Sequence, residues 1–182
     1  MESSTGSRIV VAESGNKRQT ITAEDVEQCI KDIAGWYETK AQSYYSNKLQ
    51  SCSGAPGEEV LAILAEFNAV DCHLGVQLRK YNGGFQYLDT YVGLTVDEIR
   101  KHGTELGLIE KRIVPFAKDI EGTLQCVRIQ EDGKESVVVW DCESQEVQED
   151  LKVTYAEYIE SIRERLLTGK LEYEEDLGLV TV

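Results

Sequence analysis

The stretch KRIVPFAKDIEGTLQCVRIQEDGKESVVVWD, residues 111 to 141, constrains this chain more than any other part of it. Three runs within it, KRIVPFA, TLQCVRI and SVVVWD, are rich in the β-branched and aromatic residues that suit a pleated surface. The connections between them are only a few residues long. Parallel neighbours need a crossover of a dozen or more residues, so these strands must run antiparallel. In the second connection, EDGK carries the Asp-Gly pair of a two-residue hairpin, with Gly133 at the bend. In the first, the carboxylates of Asp119 and Glu121 stand beside Gly122. Acids in such a place can do chemistry, hold a cation or turn the chain. A catalytic pair needs partners across a cleft, which sequence does not display. The connection also lacks the regular Asp/Asn spacing and distal Glu of an EF-hand loop. A hairpin corner needs nothing more: Asp119 accepts backbone N–H groups and Gly122 takes a positive φ. The turn is the leading reading, with neither a catalytic residue nor a metal expected.

Helical periodicity brackets these strands. TAEDVEQCIKDIAGWY opens with Thr22 and Asp25 in capping-box spacing, and Val26, Cys29/Ile30, Ile33 and Tyr37 recur on one face. PGEEVLAILAEFN begins with Pro56 and two acids, as a helix start should. LGVQLRKY runs into Asn82, Gly83 and Gly84, residues that tolerate positive φ. FQYL and TYVGL then alternate like strands, and Thr95 with Glu98 caps a short helix, VDEIRKH. The clearest helix is TYAEYIESIRERLLTGK, capped by Thr154 and stopped at Gly169. The order is helices, a strand meander, then a closing helix. It predicts an α+β fold: a largely antiparallel sheet of about five or six strands with helices packed against it.

Composition narrows the function. A chain of 182 residues suits one domain, and no apolar run approaches a membrane span. Residues 1–20 read as a loose arm in which RIVVA could add a short strand. Arg8 is followed by too short an apolar run for a secretory leader, so a cytoplasmic protein is expected. The five cysteines form no CxxC pair and read as free thiols. His73 beside Cys72 invites a Cys–His reading, but neighbours on a helix do not face each other. There is no GxGxxG and no GxxxxGK[ST], so neither a nucleotide nor any other cofactor is expected. Net charge is −14, and residues 141–182 alone hold twelve acids against four bases. That sign argues against nucleic acid and anionic membranes and favours a basic protein partner. The tail GKLEYEEDLGLV mixes acids with Leu171, Tyr173, Leu177 and Leu179. It reads either as an apolar strip with solvated acids or as a docking strip.

Five segments in order, LRKYNGGF, YVGLTVDEI, IVPFAKDIEGT, VVVWD and the closing helix with its acidic tail, resemble the SUKH superfamily. That group contains the yeast cell-wall assembly regulators and many bacterial immunity proteins. The resemblance covers roughly residues 74 to 180. Gly35 to His73 is longer than the family's usual link and lacks a Leu-Pro dipeptide, which implies an inserted helical segment around 36–73 of a single domain, 21–182. The resemblance implies an α+β fold without catalytic residues, working by binding proteins. The expected contact surface joins Tyr81, Asn82 and Phe85 to Asp119, Glu121, Trp140 and Asp141, aromatic anchors among acids. Gly83, Gly84, Gly122 and Gly133 are expected as structural turns. The function expected is adaptor or regulator, or alternatively neutralisation of a basic toxin such as a nuclease or deaminase.

Overall fold

A computed structural model describes residues 20–182. The arm expected over residues 1–20, with its RIVVA strand, lies outside them but for Thr20. Helix α1 (Ala23–Lys40) starts where Thr22 and Asp25 cap each other reciprocally, each side chain accepting the other's backbone N–H. Its buried stripe is Val26, Cys29, Ile30, Ile33, Ala34 and Tyr37. The helix runs past the expected end at Tyr37 to Lys40. It continues into a single turn, α2 (Gln42–Tyr44), and a π-helical turn, Tyr45–Leu49. Two further helices, α3 (Gly57–Glu66) and α4 (Leu74–Lys80), complete the first third of the chain.

A five-stranded antiparallel sheet follows, with neighbours in chain order: β1 (Val92–Gly93), β2 (Ile113–Lys118), β3 (Leu124–Ile129), β4 (Glu135–Asp141) and β5 (Glu146–Asp150). Helix α5 (Val96–Glu105) sits between β1 and β2, and α6 (Tyr155–Leu167) follows β5. Thr95 and Thr154 cap α5 and α6 through their side-chain oxygens. The chain is therefore an α+β fold. Strand β4 is buried from Ser136 to Trp140, so both faces of the sheet centre are covered, and its near-continuous apolar run reflects that.

The core beneath α6 is aromatic. Phe116 packs edge-on to Tyr87 and Tyr155 with ring centroids 5.0 and 5.3 Å apart. The polar ends of these rings are paired internally: the Tyr87 and Tyr155 hydroxyls lie 2.8 Å apart, and Tyr158 donates to Gln125 Oε1 at 2.9 Å. Helix α1 packs on α6, tied by an ion pair between Asp32 and Arg163.

Four sequence expectations need correction. FQYL and TYVGL shrink to the two-residue β1 and isolated bridges, of Gln86 with Val92 and of Leu88 with Leu179. The buried Gln86 amide donates to the carbonyls of Tyr87, Asp89 and Tyr91, so a side chain rather than a ladder organises the loop. The EDGK turn is a three-residue connection, not two. Gln130 pairs with Lys134, and Gly133 alone takes a positive φ, +82°, which matches the strand twist through a bulge. Strand β5 was unforeseen, because EVQED has no apolar alternation. The tail, finally, is a hairpin, β6 (Leu171–Glu174) with β7 (Gly178–Thr181), with Leu171 and Leu179 buried and Leu177 exposed.

Candidate interaction site

Between β2 and β3 the chain turns through Asp119–Thr123. Asp119 Oδ1 accepts the N–H of Glu121 at 3.0 Å and of Thr123 at 2.8 Å, while its own N–H donates to the Thr123 carbonyl. Gly122 closes the turn at φ +92°, with its N–H on the Asp119 carbonyl. The space beside Gly122 is open, so conformation rather than crowding calls for glycine there. Two outside contacts hold the corner. Ile120 N–H donates to Thr90 Oγ1 at 3.4 Å, and the Cys142 thiol donates to the Gly122 carbonyl at 3.1 Å. The Asp119 carboxylate therefore serves the backbone. Replacing it with Ala leaves two N–H groups without their acceptor, at an expected cost of about 1–2 kcal/mol read as a fall in the urea midpoint.

What the corner displays is Ile120, 81% exposed. It stands at the rim of a cleft of about 610 Å³. One wall carries Lys40 and Lys48 from the end of α1 and the π-helical turn, and the other carries Glu175 and Asp176 from the β6–β7 turn. Among the described residues no ion pair joins the two walls. Tyr44 and Tyr173 also line the cleft, with ring centroids 5.1 Å apart, and Tyr44 donates its hydroxyl to the Gly84 carbonyl. Burial pushes the Tyr44 phenol well above its usual range. Tyr173 is raised by burial and then by the charges of Glu175 and Asp176. Both rings stay protonated at neutral pH. The site combines an apolar knob, an aromatic lining and separated charges of both signs.

The expected contact residues divide. Glu121 is exposed on the corner, and Asp119 and Asp141 share that end of the sheet, where Cys142 reaches Gly122. Asp141 is occupied much as Asp119 is. Its carboxylate accepts the N–H groups of Glu143 and Ser144, and bonding to Ser144 and Glu143 holds it below the usual carboxylate range. Tyr81 and Asn82 lie elsewhere, at the entry to α5, where the Asn82 side chain accepts the Val96 N–H at 2.8 Å. Phe85 and Trp140 are not surface anchors at all, being 0% and 2% exposed. Backbone pairing of Phe85 with Gly93 turns its ring inward onto Tyr87. Trp140 sits opposite Leu124 in the ladder with the Lys111 ammonium 4.9 Å over its ring. The four turn glycines all take positive φ, Gly83 at +90° and Gly84 at +71° among them.

Sequence reasoning missed Ile120 itself. A signal was present: an isoleucine between Asp119 and Glu121 occupies a turn position where polar residues are usual. The cleft's other residues, from three distant segments, carried no such signal. The Cys72–His73 pair resolves structurally. The Cys72 thiol is buried against the Glu135 carboxylate, 3.7 Å away, and burial pushes it far above its ordinary range. Among the described residues no three His, Cys, Asp or Glu side chains gather as a metal site would require, and no helix is long and apolar enough to cross a membrane. No family model matches the chain, and no curated protein matches it.

Proposed function

We propose that this chain is a non-enzymatic protein-interaction domain of the cytoplasm, an adaptor or regulator of SUKH type, which receives a basic protein partner at the cleft beside Ile120. The observation that carries the reading is the exposed isoleucine on a corner held by four hydrogen bonds from Asp119, Thr90 and Cys142. Exposed apolar groups held in one geometry suit recognition, because little side-chain or loop entropy is lost on docking. The acidic wall and the net charge of −14 favour a basic partner through steering. The same charge disfavours nucleic acid.

The test is capture from the source organism's lysate on immobilised chain at low and moderate salt, wild type beside Ile120→Asp. Partners retained by wild type and lost by the variant support the cleft. Equal capture by both removes it. A second reading, an immunity protein that covers a basic toxin, draws on the acids of β5, α6 and the tail, of which Glu146, Glu149, Glu160 and Glu174 enter no ion pair among the described residues. One stoichiometric basic partner whose capture falls steeply with salt would favour it over the adaptor.

A further inference from the structure

Gln86 lines the cleft beside Ile120 and is only 3% exposed, yet half of its amide is unused. Nε2 donates to the carbonyls of Tyr87, Asp89 and Tyr91, while Oε1 accepts no hydrogen bond among the described residues. Nor is Oε1 sealed in. Among the described residues, the side-chain atoms both sealed and unpaired are Arg128 Nε and Trp140 Nε1. A nearly buried acceptor without a partner in its own chain, at the wall of an open cleft, suits an N–H brought by a ligand.

The charges beside it narrow what that ligand is. Lys40 and Lys48 on one wall and Glu175 and Asp176 on the other are exposed, and none enters an ion pair among the described residues. A wholly basic segment is drawn by the acids but repelled by the lysines, and a wholly acidic one meets the reverse. Only a segment with both signs gains at both walls, so the cleft selects by rejection as well as attraction. The Tyr44 and Tyr173 rings and Ile120 add apolar surface, and about 610 Å³ is the size of cleft that encloses a small ligand or a few residues rather than a folded face. We propose that the cleft receives a short extended peptide segment of the partner, with an apolar residue between a carboxylate and a cation. Its carboxylate goes to Lys40 and Lys48, its cation to Glu175 and Asp176, its apolar side chain to the rings and Ile120, and a main-chain N–H to Gln86 Oε1. This rests on the cleft being the docking site and narrows the partner: basic as a whole, it docks through a segment that is not.

The test pans a random heptapeptide display library on the immobilised full chain, then measures an enriched peptide with a fluorescein label by anisotropy. Enriched peptides are expected to carry an acid and a base with an apolar residue between them. Changing the peptide's acid to its amide is expected to weaken binding to wild type about fivefold. Lys40→Ala/Lys48→Ala is expected to bind the acid and amide peptides alike. The sign is diagnostic, because removing two lysines from the cleft strengthens the attraction for any purely basic segment and weakens it only for one that carries an acid. Exchanging one peptide amide for an ester, which deletes a single N–H, is expected to cost about fivefold at one central position, the N–H on Gln86. Enriched peptides that are basic only, and lost on Ile120→Asp, overturn the mixed-charge segment while leaving a basic partner at the cleft. Mixed-charge peptides that bind Ile120→Asp as tightly as wild type lie elsewhere and overturn both. No enrichment, or ester analogues that all bind equally, overturns the peptide segment alone, since capture of a folded partner is read separately.

Discussion

Ile120→Asp is expected to weaken partner capture by about a hundredfold while moving the thermal midpoint by no more than about 2 °C. The small stability effect follows from exposure: at 81% exposed, the side chain has almost no burial to lose on substitution. The backbone contacts of the corner do not involve the side chain. The Ile120 N–H still reaches Thr90, and Asp119 still accepts from Glu121 and Thr123. The large binding effect follows from the same exposure. A side chain fully buried on docking contributes about 1.5–3 kcal/mol, and a carboxylate forced into the same pocket adds a desolvation cost. The sign of the substitution sharpens the result. Aspartate makes an already acidic protein more attractive to a basic partner at long range, so a loss can come only from the short-range contact. Asp119→Ala should do the reverse, lowering stability through the corner. Undiminished capture by Ile120→Asp would place the interface elsewhere. A midpoint lowered by more than about 5 °C would mean that Ile120 is packed rather than presented.

The features that could be read in advance are those whose chemistry is local. Thr22, Thr95 and Thr154 each cap a helix within three residues of themselves, so spacing alone reveals them. The Asp119–Gly122 corner is local in the same way. Strand β5 is not, because Glu146 to Asp150 pair with β4 as an edge, and an edge strand can be charged precisely because one side stays in water. Trp140, beside Asp141, shows a second limit. An aromatic beside acids in sequence reads as a surface anchor, yet ladder register decides which face it takes, and register depends on partners far along the chain. The cleft is the least legible element, since Lys48, Ile120 and Glu175 meet only after the whole chain has folded.

Gly178→Ala is expected to cost about 3 kcal/mol or more and to lower the thermal midpoint by about 6–12 °C. Two penalties combine there. Gly178 has φ +71°, a region costly for any residue with a Cβ, and a Cβ at that position would lie 1.7 Å from the Asp89 carbonyl oxygen. That carbonyl cannot simply retreat, because it accepts the Gln86 amide at 2.7 Å and the Leu179 N–H at 3.1 Å. Gly122→Ala is the natural comparison. It carries the conformational penalty with open space around it, so about 1–2 kcal/mol is expected. The difference between the two substitutions measures the close approach by which the β6–β7 hairpin seats on the Gln86–Val92 loop. Seating also places Glu175 and Asp176 opposite Lys40 and Lys48, so Gly178→Ala should lose partner capture along with stability. Amide exchange at Leu179 and Asp89 should quicken in the variant before the rest of the sheet opens, since these two residues exchange the bonds that hold the hairpin. A Gly178→Ala chain that melts within about 2 °C of wild type would mean that the hairpin is not seated there and that the cleft has no acidic wall.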